Sequence, residues 1–152
     1  MRPAAKRPAQ LLLVVSAGLL ALGGVMHARA FARAAAAIAS SSLPEFYGNS
    51  FKGLWLIDSA TLVVLAALFG FLATRPADAS GAAIVLLALI PGATSALLYT
   101  FMGMFLPAHM LLAAALMAAL AGILTGRRTN SRASAAVTGE GVSSRDSRLR
   151  KA

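Results

Sequence analysis

From Ala79 to Gly126, ASGAAIVLLALIPGATSALLYTFMGMFLPAHMLLAAALMAALAGILTG, the chain runs for 48 residues without one aspartate, glutamate, lysine or arginine. A helix needs about 20 apolar residues to cross about 30 Å of hydrocarbon, so this stretch is too long for one span and suits two. Gly103 and Pro107 mark the break between them. Proline is tolerated in the first turn of a helix, where the amide protons have no intrahelical partner, so the two spans are expected to form a tight helical hairpin.

Two further apolar runs precede this stretch. Leu54 to Ala73 is long enough to span and is closed by Arg75, Pro76 and Asp78. Leu11 to Met26 follows Arg2, Lys6 and Arg7, an order shared by signal peptides and first membrane anchors. The small residues of Ala28 to Ala30 offer a cleavage site, whereas the run continues into alanine-rich helix-forming sequence, which favours a retained anchor. The expected fold is all-α, an integral membrane four-helix bundle with spans at about 9–28, 51–73, 82–101 and 107–125. A cytoplasmic basic segment, 1–8, precedes it. A tail of Ser, Arg, Thr and Gly, 126–152, has no apolar periodicity and is expected to be disordered and cytoplasmic.

With 59% hydrophobic and 12% charged residues and a mean hydropathy of +0.76, the chain lacks the polar surface to coat a water-soluble globule, and lipid is its natural solvent. The absence of cysteine excludes disulfides, thiolate metal sites and a cysteine nucleophile. The net charge of +9 sits at the chain ends and beside the apolar runs. That pattern fits anionic lipid headgroups, especially at the basic tail, and not nucleic acid. Placing both ends in the cytoplasm puts eleven of the fourteen lysines and arginines inside, against Arg29, Arg33 and Lys52 outside. Arginine and alanine far outnumber lysine and isoleucine, as in GC-rich bacterial genomes, so a bacterial inner (plasma) membrane is the expected location.

The external segment between the first two spans, ARAFARAAAAIASSSLPEFYGNS, begins with a helix former on which Arg29 and Arg33 share one side and Phe31 and Ile38 the other. It predicts a short amphipathic helix that rests on the headgroups or extends the first span. Ser42 to Glu45 matches a capping box that would start a short turn into the second span.

Oriented this way, the polar residues crowd the outer half of the bundle: His27 on the first helix, Asp58, Ser59 and Thr61 on the second, Ser95 and Tyr99 on the third, His109 on the fourth. Asp58 is the sharpest, because an aspartate near a span's centre costs about 2.5 to 3.5 kcal/mol on insertion scales and marks an ion pathway or a polar contact inside the bundle. Trp55, Asp58, Ser59 and Leu62 share one helical face. The bland role for Asp58 is a packing hydrogen bond, with Tyr99, Ser95 and His109 as candidate partners; the functional one is a proton or cation relay. No cofactor is expected; haem is the alternative, since His27 and His109, on different helices at one side, are the minimum for its axial ligation. No HxxxH or HExxH spacing supports another metal site.

Phe46, Tyr47 and Trp55 read as an aromatic belt, the methionines as packing filler, and Gly122 to Gly126 as a small-residue packing contact. No phosphate loop, nucleophile elbow or catalytic carboxylate pair is present. The expected function is that of a small non-enzymatic accessory or subunit acting through helix contacts, with a membrane protein as partner. The alternative is a proton-coupled carrier or a haem-binding electron-transfer subunit with its site on the outer side.

Overall fold

The structure, a computed structural model, describes residues 7–75 and 80–149. Asp78, Pro76 and most of the basic N-terminal segment lie outside the described residues. Four helices account for nearly all the rest: α1 (Arg7–Ala39), α2 (Glu45–Thr74), α3 (Gly81–Met102) and α4 (Leu106–Leu149). Each is long and apolar enough to cross a bilayer, α4 through its part Leu106–Arg127. The protein is therefore all-α and multi-pass. Its large side chains are exposed all round the helices, Leu11, Leu56, Val64, Leu86 and Leu116 among them, as befits a surface solvated by lipid tails.

α1 packs on α2 and on α4, and α3 packs on α4, whereas α2 and α3 scarcely meet. Three of the four neighbour interfaces of an up-down-up-down bundle are thus closed, and the fourth stays open. α4 has two neighbours and is accordingly lined with small side chains, Ala108, Ala114, Ala118 and Ala121 being fully buried. Helix association in lipid relies on close packing more than on hydrophobic exclusion, and alanine lets the backbones approach. Side-chain to backbone hydrogen bonds set the register: Gln10 Nε2 donates to the Ala73 carbonyl (3.0 Å), Ser16 Oγ to Ala114 (2.8 Å) and Ser95 Oγ to Ala108 (2.8 Å). In hydrocarbon these hydroxyls have no water to turn to.

The α3–α4 turn falls where Gly103 and Pro107 predict it. Gly103 caps α3 at φ 78°, ψ −165°, a region essentially reserved for glycine, and Pro107 sits in the first turn of α4. Pro91 lies inside α3 and faces the core, beside Gly92, whose position a methyl would bring to 3.6 Å from Ala115 Cβ.

Three expectations are corrected. The first is the separate short helix after the first span: the segment takes the other course open to it, and α1 is extended through it to Ala39. Ile38, expected on a lipid-facing side, instead faces Gly48, where an added Cβ would lie 3.2 Å from its Cγ2. Alanine carries the helix without a break, and α2 offers the apolar face a partner. Second, the Ser42–Glu45 capping box is not formed. Pro44 is the N-cap of α2, with no side-chain cap bond, so Ser42 lies two residues too early to reach the orphan amides, and α2 starts at Glu45, well before residue 51. Third, the polar tail from 126, expected to be disordered, is helical as far as Leu149. No proline follows Pro107, and extending an existing helix escapes the cost of nucleation.

The α1–α2 hairpin is also taller than the α3–α4 hairpin. From the level of the Ser16–Ala114 bond, α4 rises only to Leu106 while α1 climbs to Ala39. At about 1.5 Å per residue the difference is about 20 Å.

Candidate functional site

The polar cluster lies between α1 and α2, close to the level where α4 begins. His27 stands eleven residues beyond Ser16, about 16 Å up the axis, against about 12 Å for Leu106. Gly24, one turn below His27, lets the two helices close: an added Cβ there would sit 3.1 Å from Val63 Cγ2, 3.3 Å from Leu62 Cβ and 3.4 Å from the Ser59 carbonyl oxygen. The predicted face of α2 carrying Trp55, Asp58, Ser59 and Leu62 is the one turned to α1.

His27 meets all three polar members of that face. Its Nδ1 lies 2.9 Å from Ser59 Oγ, and its Nε2 lies 3.6 Å from Asp58 Oδ2, an ion-pair distance. Its ring stacks on Trp55 with centroids 4.2 Å apart and an interplanar angle of 11°. Trp55 Nε1 donates to the His27 carbonyl at 2.8 Å, and Ser59 Oγ donates to the Trp55 carbonyl at 3.0 Å. Ser59 is buried, while the side chains of His27 and Asp58 are 28% and 37% exposed, so the pair is open on one side.

Asp58 therefore has an imidazole partner, but not one of those expected. Tyr99, Ser95 and His109 belong to the α3–α4 interface, which α2 scarcely touches. Ser95 bonds to the Ala108 carbonyl. Tyr99 and His109 pair edge to face at 5.4 Å, and His109 Nδ1 donates to the Phe105 carbonyl on its own helix at 2.8 Å. Thr61 turns its hydroxyl to the Ile57 carbonyl, one turn back. The two histidines thus occupy different interfaces, each already engaged, and do not face one another as a pair of axial haem ligands would. Among the described residues no group of three His, Cys, Asp or Glu converges to hold a metal ion.

Trp55 is the member of the site that its sequence environment disguised, because a tryptophan near a membrane boundary reads as a belt residue. A signal for the grouping was present. Ala39 and Glu45 bound the α1–α2 turn, and His27 and Asp58 lie almost equally far from it along the two antiparallel helices, which puts them at one height.

Comparisons with protein-family models, with curated proteins and with solved structures give no match to this chain.

Proposed function

We propose that the protein is a non-enzymatic accessory or subunit of a bacterial inner membrane, with both ends in the cytoplasm, and that it works through contacts made by the α1–α2 hairpin with another membrane protein. The observation that carries this reading is the overreach of that hairpin. Phe46, Tyr47, Phe51 and Leu54 are half or more exposed on its outer part, above the level where the α3–α4 hairpin ends. The His27–Trp55–Ser59–Asp58 cluster clamps the hairpin at the point where it leaves the other two helices. Eleven of the fourteen basic residues support the cytoplasmic placement of the ends, and the arginines of the tail suit the anionic inner leaflet.

Photo-crosslinking in native membranes tests the contact. A photoreactive phenylalanine analogue at Phe46 or Leu54 is expected to give one recurrent protein adduct, with the same protein co-purifying with the unmodified chain and lost on Phe46→Ser/Leu54→Ser. Adducts to lipid alone at both positions, as expected at Leu86, would overturn the reading. Alkaline phosphatase fusions test the orientation: activity is expected after Ser41 and absent after Arg75 and Arg128, and the reverse pattern would invert the topology.

A further inference from the structure

We propose that His27, Ser59 and Asp58 form a reversible proton-binding site, in which the Ser59 hydroxyl reverses its hydrogen bond as the imidazole gains or loses a proton. Ser59 Oγ has a single hydrogen and two acceptors within reach, the Trp55 carbonyl at 3.0 Å and His27 Nδ1 at 2.9 Å. When His27 is neutral, Ser59 donates to Nδ1, and the ring hydrogen sits on Nε2, facing the Asp58 carboxylate. When a proton from water arrives at Nδ1, that nitrogen becomes a donor to Ser59 Oγ, and the hydroxyl turns its own hydrogen to the Trp55 carbonyl. Nε2–H still faces Asp58. One proton is taken up, one hydroxyl rotates, and no heavy atom has to move.

Each state keeps the Ser59 hydroxyl and His27 Nδ1 hydrogen-bonded to each other. The Trp55 carbonyl retains its ordinary helical amide in both, so giving up the serine costs it little. In both states the Asp58 carboxylate lies 3.6 Å from Nε2 and the Trp55 ring stacks on the imidazole. The 28% and 37% exposure of the His27 and Asp58 side chains leaves the pair accessible from outside the helix interface.

No other charged group among the described residues lies in this interface at the level of the pair. Lys52, half-buried on α2, stands six residues away from Asp58, about 9 Å along the axis. Arg29 and Arg33 are exposed and, at about 100° per residue, sit about 200° and about 240° around α1 from His27. Glu45 starts α2 at the far end of the hairpin. α4, the other neighbour of α1, offers at this level only His109 among the described residues, which is exposed and paired with Tyr99 of α3.

The test uses the fact that Trp55 is the sole tryptophan. Carbonyl-labelled [1-13C]tryptophan gives a single reporter on the oxygen to which Ser59 turns, in the full chain in nanodiscs, observed by NMR from about pH 8 to about pH 5, the range over which an imidazole ordinarily changes charge. In the wild type the Trp55 carbonyl signal is expected to shift as pH falls, together with conversion of the 15N-labelled His27 ring from its Nε2–H form to imidazolium. The carbonyl shift is expected to vanish in Ser59→Ala and in His27→Gln, with helical content unchanged. A wild-type carbonyl signal that stays fixed across the range, or one that moves equally in Ser59→Ala, would overturn the proposal. A fixed wild-type signal overturns the proposal even if a variant fails to fold, and where Ser59→Ala does not fold Ser59→Gly, which also lacks the hydroxyl, supplies the comparison.

Discussion

Gly81→Leu is expected to separate α3 from α4. A Cβ at Gly81 would lie 2.5 Å from the Gly122 carbonyl oxygen, 2.6 Å from the Gly126 amide nitrogen and 2.8 Å from Gly126 Cα. All three are backbone atoms, so no side chain can rotate away. The contact is reciprocal, since a Cβ at Gly122 would lie 2.7 Å from the Gly81 carbonyl oxygen and 2.8 Å from Val85 Cγ2. Overpacking a well-filled site costs typically about 1 to 3 kcal/mol, and Gly81→Ala is expected near the upper end of that range. Leucine is expected to abolish the α3–α4 contact. Unfolding of the purified protein in mixed detergent micelles measures both. Gly70→Leu is the control, because a Cβ there meets nothing within 4 Å. Equal midpoints for Gly81→Leu and Gly70→Leu would show that the helices do not cross at these glycines.

Gly24→Leu should have a comparable effect on the other hairpin, and it should reach the candidate site. A methyl at Gly24 asks its neighbours to yield a few tenths of an ångström, Val63 Cγ2 being nearest at 3.1 Å. Alanine is therefore expected to cost about 1 kcal/mol, while leucine drives further atoms into α2 beside the Ser59 carbonyl, at about 3 kcal/mol. Displacing α1 there withdraws His27, one turn further along, from Ser59 and from the indole it stacks on. The sole tryptophan is expected to report this as a red-shifted emission with loss of any dependence on pH, whereas Gly18→Leu, with open space around it, should leave both emission and unfolding unchanged. An unaltered tryptophan spectrum in Gly24→Leu would mean that close approach at Gly24 does not hold the cluster together.

Both glycine contacts bear on what a sequence can disclose. The Gly122–Gly126 spacing was legible as a packing feature, but its partner was not: Gly81 lies at the start of another helix and carries no pattern of its own. The polar residues were legible in the same partial way. Asp58, Ser59 and His27 could be placed on one side of the membrane from hydropathy and charge alone, and Trp55 could be placed on the face that holds Asp58. Their common address, the α1–α2 interface, could not, because His27 already lay in the first span but no apolar pattern says whether the Asp58 face of α2 turns to α1 or to the third and fourth helices; the packing of α2 on α1 decides it.

The sequence by itself determined four helices, the lipid solvent, the hairpin turn at Gly103 and the polar character of one half of the spans. These follow from local quantities, namely the length of apolar runs, the chemistry of a turn and the cost of charge in hydrocarbon. Only the tertiary structure decided which helices touch and which polar groups meet. In water, the apolar face of a helix identifies its inner side; in lipid, outward and inward faces are both apolar, and neighbours are chosen by shape, through glycines and alanines that allow close approach. That choice leaves α2 against α1 and nearly clear of α3, and it is why His27, Trp55, Ser59 and Asp58 form one cluster while Tyr99 and His109 form another.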